Sequence, residues 1–394
     1  MYKLLHIHNT ITFVWDTDKF INKNFDNEVL FIGSASHYNL NKLNQLNYPY
    51  KIIQNTKKDI NSISVYLNKF DGVVFYNLND TAVQILLMMN SNVKSFLRFF
   101  GFELYNLCKS KYLSEKTIAF LSHDQFNEKN RGGLKKYFSY FKKKYFYLSR
   151  SLKIIFNKEY SVGMDNQQKI YKKLDAILMV NKYEYDELRG LFYLPKLIEM
   201  KFTNHEHEIG EFRVVKEKLN NVIIGNNAGS LNNHIDIINI IKRVESKSNF
   251  EFNLFFSYGN EPVYAEKLKK SLTEMKNVKL LVDFYDKEAF ESIYEKSAAL
   301  VINSYRQNAL GNIFTAIKVG CKIYLNSRGT TYKWLIAEGF IISEIEELEA
   351  DLKIENIRLT LEEQQHNIDC FISVLDAYTA SDFLNNVISI LKSN

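Results

Sequence analysis

The sequence predicts an α/β protein built from two doubly wound domains, each around a parallel sheet. Three observations carry the prediction. Apolar runs of strand length alternate with polar or amphipathic stretches of helix length, as in a parallel sheet with crossover helices. The alternation breaks in the polar stretch Lys201–Glu217 and then restarts. The chain, at 394 residues, is too long for one ordinary core. The expected domains are 1–205 and 215–360, with helices in 361–394 that pack back on the first domain. Composition fits a folded, soluble protein: 46% hydrophobic and 24% charged, with a mean hydropathy of −0.25.

In chain order, Leu4–His8, Glu28–Gly33, Lys51–Gln54 and Gly72–Phe75 read as the first strands, with the polar, helical stretch Lys57–Lys69 among them. Thr81–Met89 reads as a helix and Ser95–Phe99 as a short strand. Leu174–Val180 is a further buried-strand candidate, and Asn181 opens a helix that runs to about Arg189. The second half begins with the strand Asn221–Ile224, the turn Gly225–Ser230 and the helix Ile235–Val244. The strand Phe252–Ser257, the helix Tyr264–Glu274, the strand Val278–Leu281 and the helix Asp286–Lys296 follow. Then come the strand Ala298–Ile302, a polar loop to Asn308, the helix Ile313–Val319 and the strand Cys321–Leu325. Thr331–Glu338 reads as a helix, Phe340–Ile342 as a strand and Leu361–Leu391 as one or two helices.

Several function classes are excluded or demoted. Cys108, Cys321 and Cys370 stand apart, with neither metal spacing nor a disulfide framework, which fits a reducing cytosol. Met1–Trp15 is interrupted by Lys3, His6, His8 and Asn9 and is no signal peptide. No window is apolar enough for a transmembrane span. The expected place is cytoplasmic. Ser122-His123-Asp124 lacks a nucleophile elbow, and adjacent residues do not face one another, so acyl hydrolysis is discounted. Asp16-Thr17-Asp18 matches a literal Asp-x-Asp metal pattern, but Thr17 or Asp18 as a helix N-cap is the better reading. No metal or other cofactor is expected.

The polar residues that remain converge on ligand chemistry. Arg306, Gln307, Gly311 and Asn312 stand at the entrance of a helix after a buried strand. A helix N-terminus presents unpaired N–H groups and positive potential, which suits phosphate, and arginine adds a bidentate donor. Gly225, Asn226, Asn227 and Ser230 occupy the loop after the first strand of the second half, Tyr258 and Gly259 the loop after the next, and Asn326 the end of a later one. Those are the strand ends where open α/β sheets bind ligands. In the first half, Glu103 follows a strand and suits a general base tuned by burial, or a carboxylate paired with Arg98. Between 125 and 165 lies a basic, aromatic segment. It carries Lys135, Lys136, Lys142, Lys143 and Lys144, and Lys135–Lys158 contains no acidic residue. Such a surface can lie on anionic lipid or bind nucleic acid; solvated lysines on a packed helix are the plain alternative.

In order along the chain, these elements resemble those of the TDP-N-acetylfucosamine:lipid II N-acetylfucosaminyltransferases, glycosyltransferase family 56 (4-alpha-L-fucosyltransferases). The resemblance is carried by Gly101-Phe102-Glu103-Leu104-Tyr105, by Ile224–Asn227 with Asn232 and His234, by Gly259 with Tyr264 and Glu266, by Arg306-Gln307 with Gly311, and by Leu325-Asn326. It is distant. The loop after Gly225, the Ser327–Trp334 region and the basic segment depart from the family pattern.

The resemblance implies a GT-B fold of two Rossmann-like domains facing a cleft, with the donor bound mainly by the second. It implies a metal-independent hexosyltransferase that moves a 6-deoxy or N-acetylamino hexose from a nucleotide sugar, dTDP-linked in the family, to a lipid-linked acceptor. The setting would be O-antigen or common-antigen synthesis, peripheral on the inner face of the cytoplasmic membrane. Nucleic acid is not among the expected partners. Two other classes stay open at this stage. One is a polysaccharide pyruvyltransferase-like enzyme on a similar frame; the other is a non-catalytic membrane- or nucleic-acid-binding protein.

Overall fold

A computed structural model describes residues 1–11, 14–33, 43–121, 162–200, 211–244, 249–259, 261–377 and 380–393. The chain divides into two compact units. The first comprises the described parts of Met1–Cys108, Tyr137–Thr203 and Tyr378–Asn394; the second, those of Lys109–Lys136 and Asn204–Ala377.

The first unit holds a seven-stranded sheet of β1 (Tyr2–His8), β2 (Phe25–Ile32), β3 (Tyr50–Ile53), β4 (Gly72–Tyr76), β5 (Lys94–Arg98), β6 (Ala176–Met179) and β7 (Lys196–Glu199). Their order is β3-β2-β1-β4-β5-β6-β7, and every pairing is parallel. β4 and β6 are buried at every position, as central strands covered on both faces must be. The helices are α1 (Lys57–Leu67), α2 (Asp80–Met88), the short α3 (Phe102–Tyr105) and α4 (Gln167–Tyr171), and α5 (Lys182–Arg189). Local chemistry sets their starts. Thr56, Asn79 and Asn181 each accept a bond from the backbone N–H three residues on, of Asp59, Ala82 and Glu184.

The second unit holds β8 (Leu219–Ile224), β9 (Glu251–Phe255), β10 (Val278–Leu281), β11 (Ser297–Ile302), β12 (Lys322–Leu325) and β13 (Ser343–Glu344). Their order is β10-β9-β8-β11-β12-β13, again all parallel. The helices are α6 (His234–Val244), α7 (Pro262–Leu272), α8 (Lys287–Lys296), α9 (Leu310–Lys318), α10 (Thr330–Ala337), α11 (Leu348–Lys353) and α12 (Leu361–Ala377). Ile237, Ile238, Ile241 and Val244 of α6 lie at helical spacing and pack with Val222, Phe252 and Val301 of the sheet. Each such side chain, fully buried, contributes about 1.5–3 kcal/mol.

The partition differs from the expected one at two places. Lys109–Leu121 belong to the second unit, because Ser114 N–H donates to Asn233 Oδ1 at 2.7 Å and Lys267 lies over the Phe120 ring. The tail is divided. α12 stays with the second unit, where Phe371 stacks on Phe314 at 4.3 Å. The last helix, Ala380–Lys392, belongs to the first unit and puts Phe383, Leu384, Val387 and Ile390 into its core. Smaller differences have local causes. β2 starts at Phe25, earlier than its apolar run, because Phe25–Asn27 pair with Tyr2–Leu4. The last pairing falls on Ser343–Glu344 rather than Phe340–Ile342, and β7 was not foreseen.

In both sheets the strand order reverses once, between β1 and β4 and between β8 and β11. Loops leave such a switch point in opposite directions and open a crevice at the C-terminal strand ends.

Candidate functional site

At the β8/β11 switch point, Gly225 follows β8 with φ +65°, and a Cβ there would stand 2.7 Å from His234 Nε2. Only glycine lets the chain turn so close to that ring. The His234 ring is fully buried at the start of α6, with Nδ1 3.1 Å from the Tyr264 hydroxyl. Burial lowers its pKa to about 4, partly offset by a backbone bond at Asn227 and by Glu261. His234 is therefore neutral at pH 7.

Asn226 donates to the Tyr258 hydroxyl at 3.1 Å and accepts from Asn308 and Asn227, each at 3.1 Å. Asn227 Oδ1 accepts from Gly229 N–H at 2.7 Å and from Asn232 at 3.1 Å, while Asn232 Oδ1 accepts from Asn308 at 3.2 Å. A second braid joins Asn326 to Asn303 at 2.9 Å and Asn303 to the Asn233 carbonyl at 3.2 Å. The amides of Asn226, Asn227 and Asn326 are thus engaged with the protein and brace the loops. Asn312 donates to the buried Tyr294 hydroxyl at 2.6 Å and ties α9 to α8. The Ser230 side chain is fully buried.

What remains toward solvent is a smaller set. Tyr258 is 48% exposed. Burial raises its hydroxyl pKa, and hydrogen bonds from Asn227 and Asn226, then the charge of Arg306, oppose that rise. Arg306 is half-buried, with Nη1 on the Gln307 carbonyl at 3.0 Å. α9 begins at Leu310 after Ala309, whose φ is +58°, and no side chain caps it. Gly311, its second residue, is exposed, and a Cβ there would meet nothing within 4 Å; no contact within the protein requires glycine at that position. Gly259 backs onto Ala228, whose N–H donates to the Tyr258 carbonyl at 2.9 Å. Asn303, Asn308 and Asn233 were missed as members of this set. The signal for the first two was their place in the loop after the most apolar strand.

The β1/β4 switch point of the first unit is built differently. His8 and Tyr76 are register partners and stack at 3.8 Å. His8 Nε2 meets Thr17 Oγ1 at 3.0 Å; His6 meets Asn27 at 2.9 Å and Tyr76 at 3.2 Å. Burial lowers His6 to about 4 and holds His8 well below its ordinary value. Arg98, at the end of β5, bonds Asp16 at 2.8 Å, and Lys19 lies 3.7 Å from the same carboxyl. Burial pushes Asp16 up, but the Arg98 and Lys19 charges outweigh it and hold the acid ionised.

Asp16, Thr17 and Asp18 lie inside a 3₁₀ helix, Val14–Phe20, so neither Thr17 nor Asp18 is a helix N-cap. Asp18 accepts from the Tyr48 hydroxyl. Among the described residues no group of three acidic, His or Cys side chains is placed to hold a metal. Arg98 is thus the partner of Asp16 and not of Glu103.

Glu103 sits in the first turn of α3, 5% exposed, and neither carboxyl oxygen meets a bonding partner from another described residue. Burial raises its pKa to about 7; its own backbone N–H opposes the rise, and Glu184 adds to it. Both polar ends of Asn9, the Asn77 carbonyl and Arg98 Nη1 are likewise buried without a partner among the described residues. Asn77, directly after β4, has φ +90°. Lys135, Lys136, Lys142, Lys143, Lys144 and His123 lie outside the described residues.

No protein-family model matches the chain, and no curated protein does. Solved structures match over its whole length. A glycosyltransferase from Rickettsia africae aligns with TM-score 0.58 and 9% identity, over 99% of this chain and 98% of its own. HepE from Anabaena, in complex with UDP and glucose, aligns with TM-score 0.60 and 10% identity, over 100% of both chains. A TarM mutant from S. aureus, in complex with fondaparinux, alpha-GlcNAc-glycerol and UDP, aligns with TM-score 0.58 and 8% identity, also over 100% of both. With two parallel Rossmann-like sheets, these likenesses identify the fold as GT-B.

Proposed function

We propose that this chain is a glycosyltransferase that takes a hexosyl unit from a nucleotide sugar. The observation that carries the reading is geometric: Asn226 bonds both the Tyr258 hydroxyl and Asn308, and so ties Tyr258 to the loop that carries Arg306 into the uncapped start of α9 at the β8/β11 switch point. Glycosyl transfer leaves a nucleoside diphosphate whose charge grows in the transition state. A guanidinium and oriented N–H groups stabilise that charge without rearranging. Such a site needs no metal ion. Tyr258, Gly225, Gly259 and Gln307 line the donor side, while Asn226 and Asn227 position Tyr258. UDP in the HepE and TarM structures supports a nucleotide ligand on this fold.

Glu103 takes the proton of the acceptor hydroxyl in an inverting reaction. With a pKa near 7, a large fraction is ionised at neutral pH and basic enough to act. By its resemblance to the family 56 enzymes, the donor is a dTDP-linked 6-deoxy or N-acetylamino hexose, and the acceptor is a lipid-linked or oligosaccharide glycan of surface polysaccharide synthesis. The lysines of the basic segment then serve a peripheral site on the inner membrane face.

The test is release of nucleoside diphosphate from dTDP-, UDP- and GDP-sugars with a lipid-linked acceptor, for the native chain and Arg306→Ala. Undiminished turnover in the variant removes the diphosphate assignment, and no release from any donor removes the whole reading.

A further inference from the structure

The start of α10 plays no part in the reading above. Gly329 precedes it and no side chain caps it, so its first-turn N–H groups have no acceptor within the helix. A helix end alone makes no site. This one carries a second feature. Thr330 and Thr331, its first two residues, and Ser304, after β11, are 1%, 4% and 5% exposed. None of their hydroxyls meets a hydrogen-bond partner among the described residues.

The two loops are pressed together: a Cβ on Gly329 would stand 2.6 Å from the Ser304 carbonyl oxygen. Asn326 fixes the approach, accepting from Arg328 N–H at 3.0 Å through its side chain and from Gly329 N–H at 2.8 Å through its carbonyl. Arg328, exposed, lays its guanidinium over the Tyr305 ring at 4.2 Å. Buried hydroxyls are ordinarily bonded, and each exception asks for an explanation. Valine would fill the threonine sites without the desolvation cost. Three donor hydroxyls, uncapped N–H groups at the positive end of a helix and a guanidinium suit an oxyanion.

We propose that Ser304, Arg328, Thr330, Thr331 and the first turn of α10 form a second oxyanion subsite, for a phosphate or carboxylate group. β11 and β12 are neighbours, so the subsite lies beside the one assigned to the diphosphate. Only that assignment rests on the glycosyltransferase reading. The same chemistry has three sources: a phosphate of the donor, a carboxylate on the glycosyl unit, or free inorganic phosphate.

The experiment is calorimetric titration of UDP, UDP-glucose, UDP-glucuronic acid and inorganic phosphate into the native chain, Arg306→Ala, Thr330→Val/Thr331→Val and Thr330→Ser/Thr331→Ser. The valine pair is expected to weaken at least one probe by about tenfold or more, and the serine pair to keep native affinity. Equal weakening of all three nucleotides assigns the group to the donor phosphate. Weakening of UDP-glucuronic acid alone assigns it to a sugar carboxylate, and of phosphate alone to a free anion. The melting temperature of the valine pair should not fall, because it loses only unpartnered hydroxyls. Native-like binding of every probe by the valine pair, or no probe bound by the native chain, overturns the proposal. Failure of the glycosyltransferase reading shows instead as UDP binding unchanged in Arg306→Ala.

Discussion

At the β8/β11 switch point the amides of Asn226, Asn227, Asn232 and Asn308 bond to one another; at the β1/β4 switch point the Asn9 amide and the Asn77 carbonyl bond to none of the described residues. The sheets have the same reversal of strand order, so topology places both crevices and does not account for the contrast. The second unit closes its amides into a wall and leaves a tyrosine, an arginine and a helix start toward solvent. That arrangement suits a ligand with concentrated negative charge. The first unit keeps its histidines neutral, pairs its arginine with Asp16 and leaves amide and carboxyl groups without partners. That arrangement suits a ligand that brings its own hydroxyls.

The sharpest break of this contrast is Glu103→Gln. On the proposed role, turnover falls by about 10²–10⁴-fold, measured as diphosphate release at saturating donor. Stability moves the other way. The folded pKa of about 7 lies above the ordinary 4.5, so between those values the folded state binds more protons than the unfolded, and stability is lost as pH rises through that window. Over the window the loss amounts to about 3 kcal/mol at 1.36 kcal/mol per unit. Glu103→Gln should therefore unfold at higher denaturant than the native chain at pH 8 and gain little at pH 4. The native activity should fall as pH drops below about 7. A flat pH profile, or a variant less stable at pH 8, would exclude a buried, ionisable base.

Arg306→Ala probes the other crevice. It should cut kcat/KM by about 10²–10³-fold, the size seen when an electrostatic donor to developing charge is removed. Unfolding should change by less than about 0.5 kcal/mol, as for a residue outside the core. A large stability loss with intact turnover would make Arg306 a brace like its asparagine neighbours.

How much of this was legible in the sequence depends on the distance over which each feature is encoded. β11 announced itself as an apolar run and α5 by Asn181 ahead of it; Thr56 and Asn79 start α1 and α2 by the same short-range bond. Those signals lie within a few residues. The partner of Arg98 did not announce itself, because Asp16 is 82 residues away and lies in a 3₁₀ helix too short to show a period. The same holds for Asn226 and Asn308, also 82 residues apart. The sequence placed the asparagines correctly at the strand ends and assigned them to a ligand. The structure engages their side chains with each other, since residue type and loop position do not encode which amide meets which. The division of the tail between units was hidden for a related reason: Leu361–Leu391 reads as one or two helices, and only the core that receives Phe383 and Val387 separates its second half.

Asn226→Ala tests whether the wall is a wall. It removes one member of a closed network and leaves the Tyr258 hydroxyl and the Asn308 amide short of a partner, so unfolding should be easier by about 1–3 kcal/mol. Asn9→Ala, at the matching crevice, removes an amide with no partner and should cost less than about 0.5 kcal/mol. Equal losses in paired urea melts would erase the contrast between the crevices.

Asn77 separates strain from packing. Asn77 holds φ at +90°, where an L side chain is disfavoured, and its buried carbonyl has no partner to offset that. Asn77→Gly relieves the backbone and removes the orphaned group, but frees the unfolded chain, so the net gain in stability should be about 0.5–1 kcal/mol. If Asn77 is kept for a ligand of the β1/β4 crevice, the same variant should bind the acceptor more weakly while melting higher. A variant that melts lower would mean that the Asn77 side chain supports the fold, and the first crevice would then be as closed as the second.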